Sequence, residues 1–313
     1  MKVIPPSYEI LDNLDRESLA VRIEYCGRVC YKSEDKIDRD SAIPFTRKMA
    51  EHGHNSVLEM GVLTLKMTNT TPDLLAELYA TLPKYLHIDS LDQTSLLISG
   101  SVRAFREMLI FHPGCRLVNT ISTFLHQRHP YFFDTIIPVA GLRNDPNIIV
   151  SKLDLKEVDK LPAPLLAKHR HLAVKFIVNR AVTHEIVRHR PCSFLQESQR
   201  YCRYSDNKFG GEVTFIKPMF YETGTPEFDL WSKAMEDSEK IYLKLLETST
   251  PQAARTVLPN SCKTELIVYA NLVEWKHIFK LRTSQAAEPS MREIMIPLFQ
   301  YFQKRFPQIF TGT

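Results

Sequence analysis

Between Arg188 and Ser205 the chain reads RHRPCSFLQESQRYCRYS, and five of its side chains are guanidinium or imidazole groups: Arg188, His189, Arg190, Arg200 and Arg203. Arginine is always charged and grips phosphate or carboxylate through two parallel hydrogen bonds. Seven residues separate Arg188-His189-Arg190 from Ser198, and Arg200-Tyr201 follow closely. Two cationic clusters joined by a short linker that ends in a serine hydroxyl suit two anionic ligands held side by side. The same residues also fit a solvated basic face or an RNA-binding patch.

Three other segments carry groups of this kind. In Gly53-His54-Asn55-Ser56-Val57-Leu58-Glu59, a neutral His54 can donate from one ring nitrogen and accept on the other, with Glu59 orienting it. The same stretch also reads as a helix start capped by Asn55 or Ser56. Ala254-Arg255-Thr256-Val257-Leu258-Pro259 and Asn271 to Arg282, NLVEWKHIFKLR, each hold an arginine that could bind an anion or only finish a helix. Eleven helical steps come to three turns plus about 20°, so Asn271 and Arg282 share one face.

Together these segments, in this order, resemble the flavin-dependent thymidylate synthases. RHR followed after seven residues by Ser and then R-Y is similar to the family fingerprint, and G-H-x-x-x-x-E, A-R-x-x-L-P and N…L-R resemble its other motifs. The resemblance covers roughly residues 17–66 and 171–300. It implies methylation of dUMP to dTMP, with methylenetetrahydrofolate as carbon donor and NADPH-reduced FAD as hydride source. It implies that His54, Glu59, Arg188, His189, Arg190, Asn271 and His277 bind FAD. Glu185, Gln196, Ser198, Arg200, Arg255 and Arg282 would bind the nucleotide, and Arg282 and Ser198 would also serve catalysis. It further implies a homotetramer with active sites between subunits; a cytoplasmic location is expected from an N-terminus whose prolines and acids stand where a secretory signal needs apolar residues. A catalytically silent nucleotide- or RNA-binding protein using the same basic site is the alternative.

Several positions depart from the family pattern. Asn55 replaces a glutamate, Glu185 stands where many members have glutamine, Gln196 where glutamate is frequent, and Cys30 where serine is frequent. Val273 replaces an arginine found in some members, and Arg103, in SGSVRAFRE, is a candidate compensating cation. His54 and Arg188 lie 134 positions apart, so this is a long member with an insertion at about 68–170 in a single domain.

Other chemistries fit poorly. The chain has ten glycines and neither G-x-G-x-x-G nor G-x-x-x-x-G-K, so side chains rather than a glycine-rich loop must hold a dinucleotide. His184 and His189 are five apart, about 140° around a helix, which argues against a shared zinc; no metal is expected. The six cysteines form no C-x-x-C pair, and Cys192 and Cys202 read as incidental thiols rather than nucleophiles.

The elements that position these groups follow from periodicity. At 313 residues, with 44% hydrophobic and 24% charged residues, the chain has the composition of a globular protein with a large core. Its net charge of +4 does not mark a dedicated nucleic-acid binder, and no apolar run approaches the ~20 residues of a membrane span. Helices are expected over 17–33, 41–51, 72–84, 100–111, 227–247, 251–257, 262–281 and 290–305. Strands are expected around 63–67 and 213–216, while 96–99 reads as a strand or helix start, and 172–181 as a strand or buried helix. Asn144-Asp145-Pro146-Asn147 is a turn signal in a weakly patterned stretch, and no repeat is evident. The resemblance implies an α/β (α+β) fold, an antiparallel sheet flanked by helices, with a largely helical insertion.

Overall fold

The computed structural model describes residues 1–136 and 145–311, so Asn144 lies outside the described residues. In chain order the strands are β1 (Lys2–Ile4), β2 (Ser7–Ile10), β3 (Val62–Thr68), β4 (Leu86–Ser90), β5 (Leu96–Ser101), β6 (Ile149–Lys152), β7 (His171–Asn179), β8 (Ser193–Gln196), β9 (Thr214–Ile216) and β10 (Lys263–Asn271). Two four-stranded antiparallel sheets dominate, one ordered β2-β7-β10-β8 and the other β4-β5-β3-β6. A short parallel pair, β1-β9, completes the set among the described residues.

The first of these sheets is buried on both sides. Along β7, Leu172, Val174, Phe176 and Val178 enter one core, which the helices Leu272–Arg282 and Pro289–Arg305 close with Trp275, Phe279, Leu298 and Phe302. Ala173 on β7, with Ile267 and Tyr269 on β10, enters a second core built on Leu19–Tyr31 and the second sheet. Two-sided burial is why 262–281 misreads as one helix: ELIVYA has no polar face, and periodicity alone does not separate a fully buried strand from a buried helix. The stretch is a strand to Asn271 and a helix from Leu272. The ambiguous run at 172–181 is likewise the strand β7, leading into the helix Arg180–Ile186.

Helices make up most of the regular structure of the insertion among its described residues, but they are joined by strands. Among its described residues it supplies the strands β5 and β6, which flank β3, and β4, which pairs with β5, together with helices that include Val102–Phe111 and Arg116–Arg128. The second of these helices is absent from the periodicity reading, although Leu117, Ile121 and Leu125 recur every four residues and are fully buried. Leu63, Leu65 and Met67 on β3 are fully buried, as their alternation predicts.

The two sheets share a connectivity that the sequence does not advertise. In one, β7 leads through a helix to β8, then, after an excursion that carries β9 and the helix Pro226–Leu246, to β10 and a helix, and the sheet order is β7-β10-β8. In the other, β3 leads through a helix to β4, then β5, then a helix, and the order is β3-β5-β4. A further antiparallel strand flanks each: β2 on β7 and β6 on β3.

Candidate functional site

Arg282, near the end of the helix Leu272–Arg282, meets the Arg188-His189-Arg190 run. Its Nε donates to His189 Nε2 at 3.2 Å, its Nη1 to Glu185 Oε2 at 2.5 Å and its Nη2 to the Glu185 carbonyl at 3.2 Å. His189 Nδ1 donates to the Ile186 carbonyl at 2.8 Å, which leaves Nε2 as the acceptor. Burial lowers the His189 pKa, and Arg282 pushes in the same direction, so the ring is neutral near pH 7. His277, one face around the helix, sets its exposed ring 6.1 Å from that of His189. Glu185 is therefore the counterion of Arg282. His184 is exposed on the helix Arg180–Ile186, whereas His189 lies beyond its end and is buried.

The remaining nucleotide-side residues lie on and after β8 and in the short helical stretch Arg255–Val257. Ser198 is anchored by its backbone N–H, which donates to the Cys30 carbonyl at 2.9 Å and so ties the loop after β8 to the end of the helix Leu19–Tyr31. Beside it Glu197 is buried, taking bonds from Lys263 at 2.9 Å and from Tyr204 at 2.9 Å. Arg200 is exposed and reaches Gln252 at 3.3 Å, in the turn that carries half-buried Arg255. Tyr201 packs edge-on against Tyr31 at 5.5 Å. Gln196 spends its amide nitrogen on Thr183 at 3.0 Å and Thr264 at 3.2 Å, which keeps its amide oxygen available.

A cavity of about 430 Å³ opens between the two sheets and collects a third group. Glu59, Arg190 and Asn271 line it, with Arg103, Glu107, Glu274, His87 and Tyr85. Asn271 caps the helix it begins: its side-chain oxygen accepts from Glu274 N at 2.9 Å, and its amide nitrogen donates to His87 Nε2 at 3.0 Å. His87, its pKa lowered by burial, is thus a neutral acceptor, while burial raises the Glu274 carboxyl. A larger adjoining cavity of about 680 Å³, lined by Arg22, Lys152 and Arg170, contains none of the site residues named from sequence.

Glu59 does not orient His54. Its carboxylate accepts from Arg103 at 2.6 Å, while His54 is exposed with its ring 6.3 Å from His52. Arg188 and Arg190 are exposed and have no side-chain hydrogen-bond partner among the described residues. The helix Leu272–Arg282 spans about 16 Å at 1.5 Å per residue, so Asn271 and Arg282 mark opposite ends of the site. Arg188 to Arg190 bridge them, His189 on one cluster and Arg190 on the other. His87, Tyr85 and Glu107 escaped the sequence reading, since nothing in their spacing signals a cavity. Burial pushes the Cys192 and Cys202 thiols up to about 12, far from the activated range.

This fold and these clusters can be set beside known proteins. Residues 166–308 match the family model described as thymidylate synthase complementing protein. The chain is 34% identical over 128 residues to a flavin-dependent thymidylate synthase of Pyrococcus abyssi, covering 41% of this chain and 52% of that protein. It is 32% identical over 160 residues to one from Mycolicibacterium gilvum, covering 45% and 62%, and 29% identical over 149 residues to one from Corynebacterium efficiens, covering 42% and 57%. The chain thus spans about half the length of the curated relatives it matches.

Proposed function

We propose, for a chain whose residues 166–308 belong to the flavin-dependent thymidylate synthase family, that it methylates dUMP to dTMP with methylenetetrahydrofolate as carbon donor and NADPH as reductant. The observation that carries this reading is Arg282 bonded to both His189 and Glu185 across more than ninety positions of chain. It joins the last motif of the family pattern to the first cationic cluster.

The donor set suits FAD. The cavity lies within the ~300–1,000 Å³ typical of small-molecule sites, which accommodates the ring system, and exposed Arg188 and Arg190 stand free for a diphosphate. Asn271, His277, His54 and Glu59 complete the cofactor side, with Glu59 acting through Arg103. FAD supplies, when bound and reduced, the hydride that completes the methyl group.

On the substrate side Arg200 and Arg255 hold the dUMP phosphate, and Ser198 donates its hydroxyl to the nucleotide. Gln196 accepts from the pyrimidine through its free amide oxygen. Arg282 faces the pyrimidine carbonyl edge, where negative charge grows as C5 becomes nucleophilic, and a fixed cation there lowers the barrier. Glu185 holds that guanidinium in place beforehand. We place the protein in the cytoplasm as a homotetramer in which a neighbouring subunit borders each site. No helix among the described residues is long and apolar enough to cross a membrane.

Purified protein given FAD should show flavin absorption and release tritium from 5-tritiated dUMP only when NADPH and methylenetetrahydrofolate are both present. Arg282→Ala should lower that release by about 10²–10³-fold, the usual cost of removing one transition-state donor. Full activity without flavin would refute the mechanism, and nucleotide binding with no turnover would leave a silent binding protein in its place.

A further inference from the structure

The two sheets agree not only in connectivity but rung by rung. Tyr269 on β10 lies opposite Ala173 on β7 and Ser193 on β8; Ser99 on β5 lies opposite Thr64 on β3 and His87 on β4. Two rungs along, Asn271 faces His171 and Ser101 faces Val62. Ser101 and Asn271 then do the same job, each capping the helix that follows by accepting from a backbone N–H three residues on, at 3.1 Å and 2.9 Å. Residues 62–111 and 171–282 therefore share one strand–helix–strand–strand–helix unit, which the second copy interrupts between β8 and β10 with residues 197–262, carrying β9 and the helix Pro226–Leu246.

The 430 Å³ cavity lies where the copies meet, and equivalent positions line it in pairs: Val62 with His171, His87 with Ser193, Ser101 with Asn271. Hydrogen bonds cross the same junction, from Asn271 to His87 and between Ser99 and His169. Yet the copies are not chemically equal. Counting back from His87 and Ser193, Leu82-Pro83-Lys84 stands in the first copy where Arg188-His189-Arg190 stands in the second. The first copy has lost the anion-gripping run and cannot hold a second, matching ligand.

We infer that the first copy forms the opposite wall of the single site, with Arg103 and Tyr85 binding the ring of the ligand whose diphosphate lies on Arg188 and Arg190. Arg103 shares its Nε and Nη1 with Glu107 at 2.7 Å and Glu59 at 2.6 Å, which leaves Nη2 to donate. A guanidinium already balanced by two carboxylates is a poor partner for a diphosphate and a good one for a ring carbonyl. Tyr85 stands at the mouth of the cavity, 69% exposed, with a backbone φ of 60° that a bulky residue seldom adopts. An exposed aromatic held at such a conformation is placed to stack on a planar heteroaromatic ring.

This assignment rests on the flavin reading above and is tested separately from it. Fluorescence titration of the full chain with FAD, with riboflavin (ring without diphosphate) and with ADP (diphosphate without flavin ring) divides the two ends of the site. Arg103→Ala and Tyr85→Ala should each weaken riboflavin and FAD about tenfold and leave ADP unchanged. Arg190→Ala should weaken ADP and FAD more than riboflavin. Tyr85 is exposed, so its variant remains informative should Arg103→Ala fold poorly. Riboflavin affinity equal to the wild type in folded Tyr85→Ala and Arg103→Ala would overturn the inference while leaving the flavin reading intact. A wild-type chain that binds neither FAD nor riboflavin would overturn both.

Discussion

Arg282 and Glu185 form a partly exposed pair, 19% and 33% accessible at the side chain, joined by a charge-assisted bond at 2.5 Å. A nucleotide edge that recruits Arg282 must compete with that carboxylate. Glu185→Gln keeps the shape and removes the charge, so dUMP should bind several-fold more tightly, as read by calorimetry. Weaker binding would instead show Glu185 touching the nucleotide through a bond the amide cannot make. At this scale the sequence was informative about type and poor about pairing. Arg188-His189-Arg190 and Ser198 announce themselves through local spacing, whereas Glu185 meets Arg282 across 97 positions. Glu59 meets Arg103 across 44, so the nearer His54 was the natural but mistaken partner. Side-chain pairing depends on tertiary approach, which local pattern does not encode.

Among the elements, the strand-to-helix junctions aim the site. Asn179, Ser101 and Asn271 each end a strand and cap the next helix, with side-chain oxygens accepting backbone N–H bonds at 2.9, 3.1 and 2.9 Å. Such caps contribute ~1 kcal/mol each. Asn271→Ala should cost more, about 2 kcal/mol, because it also leaves half-buried His87 Nε2 and the Lys168 carbonyl without their donor. Asn271→Ser should recover the cap and not the His87 bond, falling between the two in urea unfolding; equal midpoints for the alanine and serine variants would show that the cap contributes nothing. The helix Leu272–Arg282 was legible from its Asn start and Leu-Arg end. The strand before it was not, because β10 buries both faces and loses the alternation that marks a strand. In the second sheet β3 showed through its alternation, but the kinship of the two sheets did not: a copy that keeps register and caps while exchanging most side chains leaves almost no identity for a sequence scan to find.

Packing two sheets and their helices into one molecule buries histidines in their neutral form, and this sets how the whole fold responds to acid. Burial pushes His169, 1% exposed, down to about 4 despite Asp89 beside it. Burial, reinforced by Lys152 and Arg128, does the same to His129, 8% exposed. In the unfolded chain both titrate near ~6.5. Between those values the unfolded state holds more protons than the folded one, so stability is present above about pH 6.5 and drains away as pH falls toward 4. At pH 5 each histidine accounts for on the order of 1–2 kcal/mol of that loss. His171 shifts the same way, to about 3, but borders both cavities and is only half-buried, so solvent discounts its share. Carboxylates do not imitate the effect in this window. Burial pushes the Glu265 carboxyl up, but Lys263 and Lys32 outweigh it and hold it at about 2, so its contribution fades only below ~4.3, where an unfolded glutamate takes its proton. Urea midpoints measured from pH 7.5 to 5 should therefore decline steadily in the wild type. A chain carrying His129→Gln and His169→Gln should start lower and decline less. The same decline in both proteins would assign the acid response to other groups and remove these two histidines from the account.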